Sequence, residues 1–136
     1  MNSKVFIAVL SLGVTLLIGS SVAHAQKPQE SISLKSGETV EMGNLFWVVN
    51  CRSLLNGPPV AEVLEGPPEV TASVRIQNVI PRKANCAKEV PGGMLLVTAP
   101  KEVKARTQGI LTVRIRYPTK DGERQASREI VVTLFP

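Results

Sequence analysis

The chain is poor in the side chains that most chemistry needs. Its 136 residues include one histidine, His24, two cysteines, one tryptophan and one tyrosine, and only 4% are aromatic. No apolar run reaches the ~20 residues that span a bilayer as a helix. No segment sustains an apolar stripe of period 3.6. These shortages exclude a coiled coil, a collagen and a disulfide-dense mini-protein. What is present points elsewhere. A hydrophobic fraction of 43% is too high for a disordered chain. Ten glycines and ten prolines punctuate the sequence at a density that suits many short strands. The length fits one compact domain.

Residues 1–25 have the three parts of a secretory signal peptide. Lys4 makes the start positive, residues 5–18 form an apolar run of about 14 residues, and Ala23-His24-Ala25 is an A-x-A cleavage site. That run is too short for a membrane anchor, and no cysteine stands at the cleavage site to carry a lipid. The expectation is a mature chain from Gln26 of about 111 residues, soluble, without a transmembrane segment, and periplasmic or secreted from a bacterial cell. Cleavage removes Lys4, so the net charge falls from +5 to +4, and it removes the sole histidine.

A mature chain without histidine lacks the usual general base and cannot assemble a Ser-His-Asp or Cys-His arrangement. A zinc site would want four N or S ligands, and with no histidine and two cysteines in the mature chain that count cannot be met except with carboxylates. Glu62, Glu65 and Glu69 are the nearest approach to a carboxylate pair, but so small a domain has little room for a glycosidase cleft. No glycine-rich phosphate loop is present. The sequence therefore predicts no enzyme, no catalytic residue, no metal and no cofactor.

Export places Cys51 and Cys86 where disulfides persist, and two cysteines allow one pairing. The predicted bridge closes a loop of roughly 36 residues, and Trp47, four residues before Cys51, is expected to share its core region.

The mature chain reads as short strands. After a flexible leader at 26–30, strands are expected at 32–34, 39–42, 45–49, 60–64, 70–76 and 94–98, the segment 45–49 being central and 60–64 an edge. Val70, Ala72, Val74 and Ile76 share one face, which predicts their burial together. Residues 81–93 read as a polar loop around Cys86, and 101–108 as a charged connection. Asp121-Gly122 is a hairpin signal. It sets Leu111 opposite Val132, Val113 opposite Ile130, Arg114 opposite Glu129 and Ile115 opposite Arg128. The fold class expected is all-β: one antiparallel β-sandwich of about seven strands over residues 31–136.

With Trp47 on an early strand, one disulfide, and a terminal hairpin holding Tyr117, the chain resembles the immunoglobulin-like domains of bacterial envelope proteins. It departs from the antibody pattern. The cysteines are only 35 apart, and Trp47 precedes both rather than lying between them. The resemblance implies a non-catalytic binding or structural domain that contacts an envelope protein or glycan through edge strands and the loops 53–59 and 81–91. Arg52, Asn56, Arg82 and Lys83 are the candidate contacts. The basic excess also suits an anionic glycan or lipopolysaccharide, whereas nucleic acid is excluded by export and by the lack of stacking aromatics. A monomer is expected. A second resemblance is to the immunoglobulin-fold cysteine-protease inhibitors, on the mature size, an asparagine in the early loop, and Pro91-Gly92-Gly93-Met94 as a glycine-rich loop. Their Thr-Thr-Gly and Arg-Pro-aromatic motifs are missing here. Pilus chaperones, which set two such domains around a cleft, fit less well, since one domain is present.

Overall fold

The computed structural model describes Gly19 and residues 29–136. The expected signal peptide apart from Gly19, and the start of the expected leader, lie outside the described residues. The protein is mostly β, and the described residues hold no α-helix. Nine strands follow in chain order: β1 (Glu30–Lys35), β2 (Thr39–Leu45), β3 (Val48–Val49), β4 (Arg52–Ser53), β5 (Val60–Glu65), β6 (Thr71–Val79), β7 (Val90–Thr98), β8 (Thr107–Thr119) and β9 (Gly122–Phe135). Seven are longer than two residues. They form a four-stranded sheet in the order β1-β9-β8-β5 and a three-stranded sheet in the order β2-β7-β6, with β3 and β4 as a separate small hairpin. All pairings are antiparallel except β1 with β9, which is parallel.

The alternation read from the sequence builds the core. Leu111, Val113, Ile115 and Tyr117 of β8, with Ile130, Val132 and Leu134 of β9 and Leu34 of β1, join Leu45, Leu95 and Val97 of the other sheet in one buried cluster. Each fully buried leucine, isoleucine or valine contributes about 1.5–3 kcal/mol. Trp47 packs on this cluster and lies 5.2 Å from Tyr117, ring centre to ring centre.

The terminal hairpin forms, but two residues out of the expected register. Its turn is Lys120-Asp121, with Thr119 opposite Gly122. Leu111 therefore faces Ile130, Val113 faces Arg128, Ile115 faces Ala126, and Arg114 faces Ser127 rather than Glu129. A slip of two keeps every side chain on its own face, so the apolar pattern fits both registers. The turn decides between them. The buried Thr119 hydroxyl donates to the Gly122 carbonyl and accepts the Asp121 N–H, and Gly122 takes φ +108° as the first strand residue. Arg114 meets Glu62 on β5 instead, at 4.0 Å. Arg128 turns inward and ties the two sheets: it pairs with Glu30 and donates to the Met42 carbonyl at 3.0 Å. Glu30, assigned by the sequence to the leader, is thus the first residue of β1.

Three other expectations are corrected. The segment 45–49 is not one central strand. β2 ends at Leu45, and Val48–Val49 turns back on Arg52–Ser53. Asn50 and Cys51, at φ 51° and 60°, supply the two positive angles that a type I′ hairpin turn needs. The loop around Cys86 ends earlier than residue 93, because Val90 already opens β7. Pro91 is tolerated there since β2 reaches only to Gly93, so one side of β7 is open at Pro91. Finally, Ile76 is not buried with Val70. It is 71% exposed.

Candidate binding surface at the disulfide-tied end

Cys51 and Cys86 are bonded, with their Cα atoms 5.4 Å apart. The bridge joins the β3–β4 turn to the connection between β6 and β7. In that connection a 3₁₀ turn, Arg82–Ala84, follows the buried Pro81. The Pro81 carbonyl accepts both the Ala84 N–H at 3.0 Å and the Cys86 N–H at 3.2 Å, and Asn85 closes the turn in the left-handed region at φ 59°. Cys86 is buried and Cys51 exposed, and neither belongs to the cluster around Trp47. Indole and bridge therefore do not share one core, contrary to expectation.

The bridge brings the β4 strand carrying Arg52 to the turn carrying Arg82 and Lys83. All three side chains are exposed, and none enters an ion pair among the described residues. Asn56 has a different task. Its backbone N–H donates to the Pro118 carbonyl at 3.0 Å and its side-chain amide to the Thr119 carbonyl at 3.3 Å. The Lys120 N–H in turn donates to the Leu54 carbonyl at 3.0 Å. Residues 54–56 are thereby pinned to the β8–β9 turn. One end of the molecule gathers the β3–β4 hairpin, the Cys86 connection and the β8–β9 turn. Arg52, Arg82, Lys83, Lys88, Lys120 and Arg124 stand there against Glu89, Asp121 and Glu123. The opposite end carries residues 99–106, held to the β1–β2 turn by Gly37 N–H to the Pro100 carbonyl and Val103 N–H to the Ser36 hydroxyl.

Beside the disulfide-tied end opens a groove of about 550 Å³. Residues 55–59 form one wall, and Ile76, Gln77 and Asn78 of β6 with Pro91 and Gly92 form the other. No charged side chain lines it. Sequence reasoning missed this groove. Its one legible signal was the Asn56-Gly57-Pro58-Pro59 breaker, which delays the start of β5.

The other sequence candidates scatter. Glu62 is opposite Arg114 on β5, Glu65 ends that strand, and Glu69 sits in the following turn at φ 63°. Among the described residues no three His, Cys, Asp or Glu side chains come together. Pro91-Gly92-Gly93-Met94 is not a loop, for it lies within β7. A Cβ on Gly92 would collide with the Leu45 carbonyl, and one on Gly93 with the Val74 side chain. These glycines let β2 and β6 close on β7, which is a packing role. Buried Tyr117 has its hydroxyl pKa raised above the ordinary 10.0 by desolvation, with Arg128 opposing the shift. Comparison with protein-family models, curated proteins and solved structures finds no match to the chain.

Proposed function

We propose that the protein is an exported, non-catalytic binding domain of the bacterial envelope, an immunoglobulin-like sandwich that contacts a protein or glycan with its disulfide-tied end. The observation that carries this reading is the way one bridge ties the strand carrying Arg52 to the turn carrying Arg82 and Lys83 while all three lack an ion-pair partner among the described residues. Charged side chains held on a cross-linked scaffold lose little entropy on binding, so they suit recognition. The disulfide itself is in keeping with an oxidising compartment, and the A-x-A site predicts Gln26 as the mature N-terminus. A second reading, an anionic glycan or lipopolysaccharide as ligand, rests on the same unpaired cations.

Position-specific crosslinking tests the proposal. A photoreactive residue is placed at Arg82 or, on the opposite end, at Lys101, in the full chain expressed in a bacterium. Discrete protein adducts from position 82 and none from 101 are expected. Heterogeneous, salt-sensitive glycan adducts from 82 favour the second reading. Equal adducts from both ends, or none from 82, overturn the assignment of the surface. An unprocessed chain retained in the cytoplasm overturns export.

A further inference from the structure

The two larger sheets have four outer strands: β1 and β5 on one, β2 and β6 on the other. Unpaired outer strands invite another chain, and proteins guard them with lysine, proline or bulges. Three of the four are guarded. β1 is short and ends in Lys35. β2 has a register shift between Glu41 and Asn44, with Gly43 at φ +114°. β5 follows Pro58-Pro59 and shifts register between Val63 and Glu65. β6 has none of these devices. It pairs with β7 without a break over all nine residues and contains neither lysine nor proline. Its one charge, Arg75, is already engaged by Glu41 at 2.7 Å and by Gln77 at 3.0 Å. On it stands Ile76, the most exposed large hydrophobic side chain among the described residues, beside the uncharged groove.

The chain segments flanking β6 differ in charge, although Lys101 and Lys104 stand near Glu69 at the one end. Glu65 and Glu69 precede it, and Arg82 and Lys83 follow it. An antiparallel copy of the same segment would set the acidic end of one chain beside the basic end of the other, twice over, about a two-fold axis. We propose that the protein self-associates in this way, β6 pairing with β6 of a second copy in a register centred on Ile76. In that register Ile76 lies opposite its own counterpart and the two apolar side chains cover each other. Arg75 lies opposite Gln77 of the second copy, which avoids an Arg–Arg contact at the axis. Past the strand ends, the same register brings the turn holding Glu69 toward the 3₁₀ turn holding Lys83 of the second copy. The groove beside residues 76–78 leaves room for the incoming strand. Backbone pairing supplies adhesion and the side chains set the register. The proposal goes beyond the binding reading above and departs from the monomer expected of the sequence. It points the two disulfide-tied ends in opposite directions, so that one dimer presents two such surfaces, each keeping Arg52 and Arg82 free while Lys83 turns to the second copy.

The test is sedimentation of the mature, oxidised protein from low micromolar to several hundred micromolar. A concentration-dependent monomer–dimer equilibrium is expected, at low ionic strength first, because so small an interface is weak. Ile76→Lys, a change at an exposed site that leaves the circular dichroism spectrum unaltered, should hold the protein monomeric throughout. Glu69→Lys and Lys83→Glu should each weaken the dimer at least several-fold, and the two together in one chain should restore it. Ile76→Cys should yield an intermolecular disulfide, while Ile110→Cys, at an exposed isoleucine of β8, should not. A wild-type protein that stays monomeric at every concentration overturns the proposal. So does a dimer indifferent to Ile76→Lys, or one that the double charge exchange fails to restore. Crosslinking from Arg82 to a foreign partner by a strictly monomeric protein would leave the binding reading standing and sink this one.

Discussion

Removing the disulfide should destabilise the protein without dissolving its fold, and the size of the loss can be worked out. The bridge spans 35 positions. In the chain-entropy model a closed loop of that length withholds about 3.8 kcal/mol of freedom from the unfolded chain at 25 °C. Cys86 is buried, so its replacement by alanine adds a small transfer and cavity term, under about 1 kcal/mol. Neither cysteine belongs to the cluster that both sheets share, so the native packing has no need of them. The Cys51→Ala/Cys86→Ala variant should therefore remain folded, with stability lower by about 3–5 kcal/mol. Urea unfolding followed by Trp47 fluorescence would show a lower midpoint, and the denaturant slope should rise because the uncrosslinked chain exposes more surface. The melting temperature should fall by roughly 15 °C. A loss below about 1 kcal/mol would refute the entropic account. Complete unfolding at 25 °C would refute the claim that the core is independent of the bridge. The same variant bears on function, for it frees the Arg82 turn from the Arg52 strand. Crosslinks from position 82 should fade while the fold persists.

Two further predictions follow from single side chains. Gly92→Ala should destabilise by about 1–3 kcal/mol, because the new methyl meets the Leu45 carbonyl, a backbone atom that cannot swing aside; an alanine variant with an unchanged urea midpoint would contradict the close packing of β2 on β7. Tyr117 gives a pH effect whose sign is set by burial: its raised native pKa means the unfolded chain loses the phenolic proton first, so stability should decline as pH rises past about 10. As the chain has one tyrosine, its ultraviolet titration reads this group alone, and Tyr117→Phe should abolish that part of the decline.

Much of the architecture was legible because period 2 is a strong code. The alternation over 111–117 and 130–134 names the inward columns of β8 and β9, and all seven of those side chains are in the shared core. Two cysteines, with a single pairing open to them, named the bridge. What period 2 cannot hold is any displacement by an even number of residues. The β8–β9 hairpin could slide by two with no apolar side chain changing face, and the choice rested on one threonine hydroxyl and one glycine angle at the turn. The β3–β4 hairpin hid for a related reason. Val48 and Val49 extend the apolar run of Leu45, Phe46 and Trp47, which reads as one strand, and the left-handed pair Asn50 and Cys51 instead turns the chain back onto Arg52 and Ser53.

Ile76 marks a different limit. Its face is the one the alternation assigns, the face of Ala72 and Val74, yet it stays exposed because burial depends on how far the opposite layer extends. Pro58 and Pro59 delay β5 until Val60, and residues 55–57 are drawn off to the β8–β9 turn by Asn56 and Leu54. The layer that should cover Ile76 is thus spent on pinning the disulfide-tied end. Sequence describes each strand by itself, while coverage is a property of two strands that are distant in the chain. A residue that obeys the local pattern and still fails to be buried is a place where folding leaves an apolar surface open, and here the strand that carries it is, among the described residues, the one outer strand of the two larger sheets without a guard against pairing. The exposed disulfide-tied end and the exposed edge are therefore consequences of the same local arrangement: anchoring residues 54–56 to the hairpin turn makes the first rigid and leaves the second open.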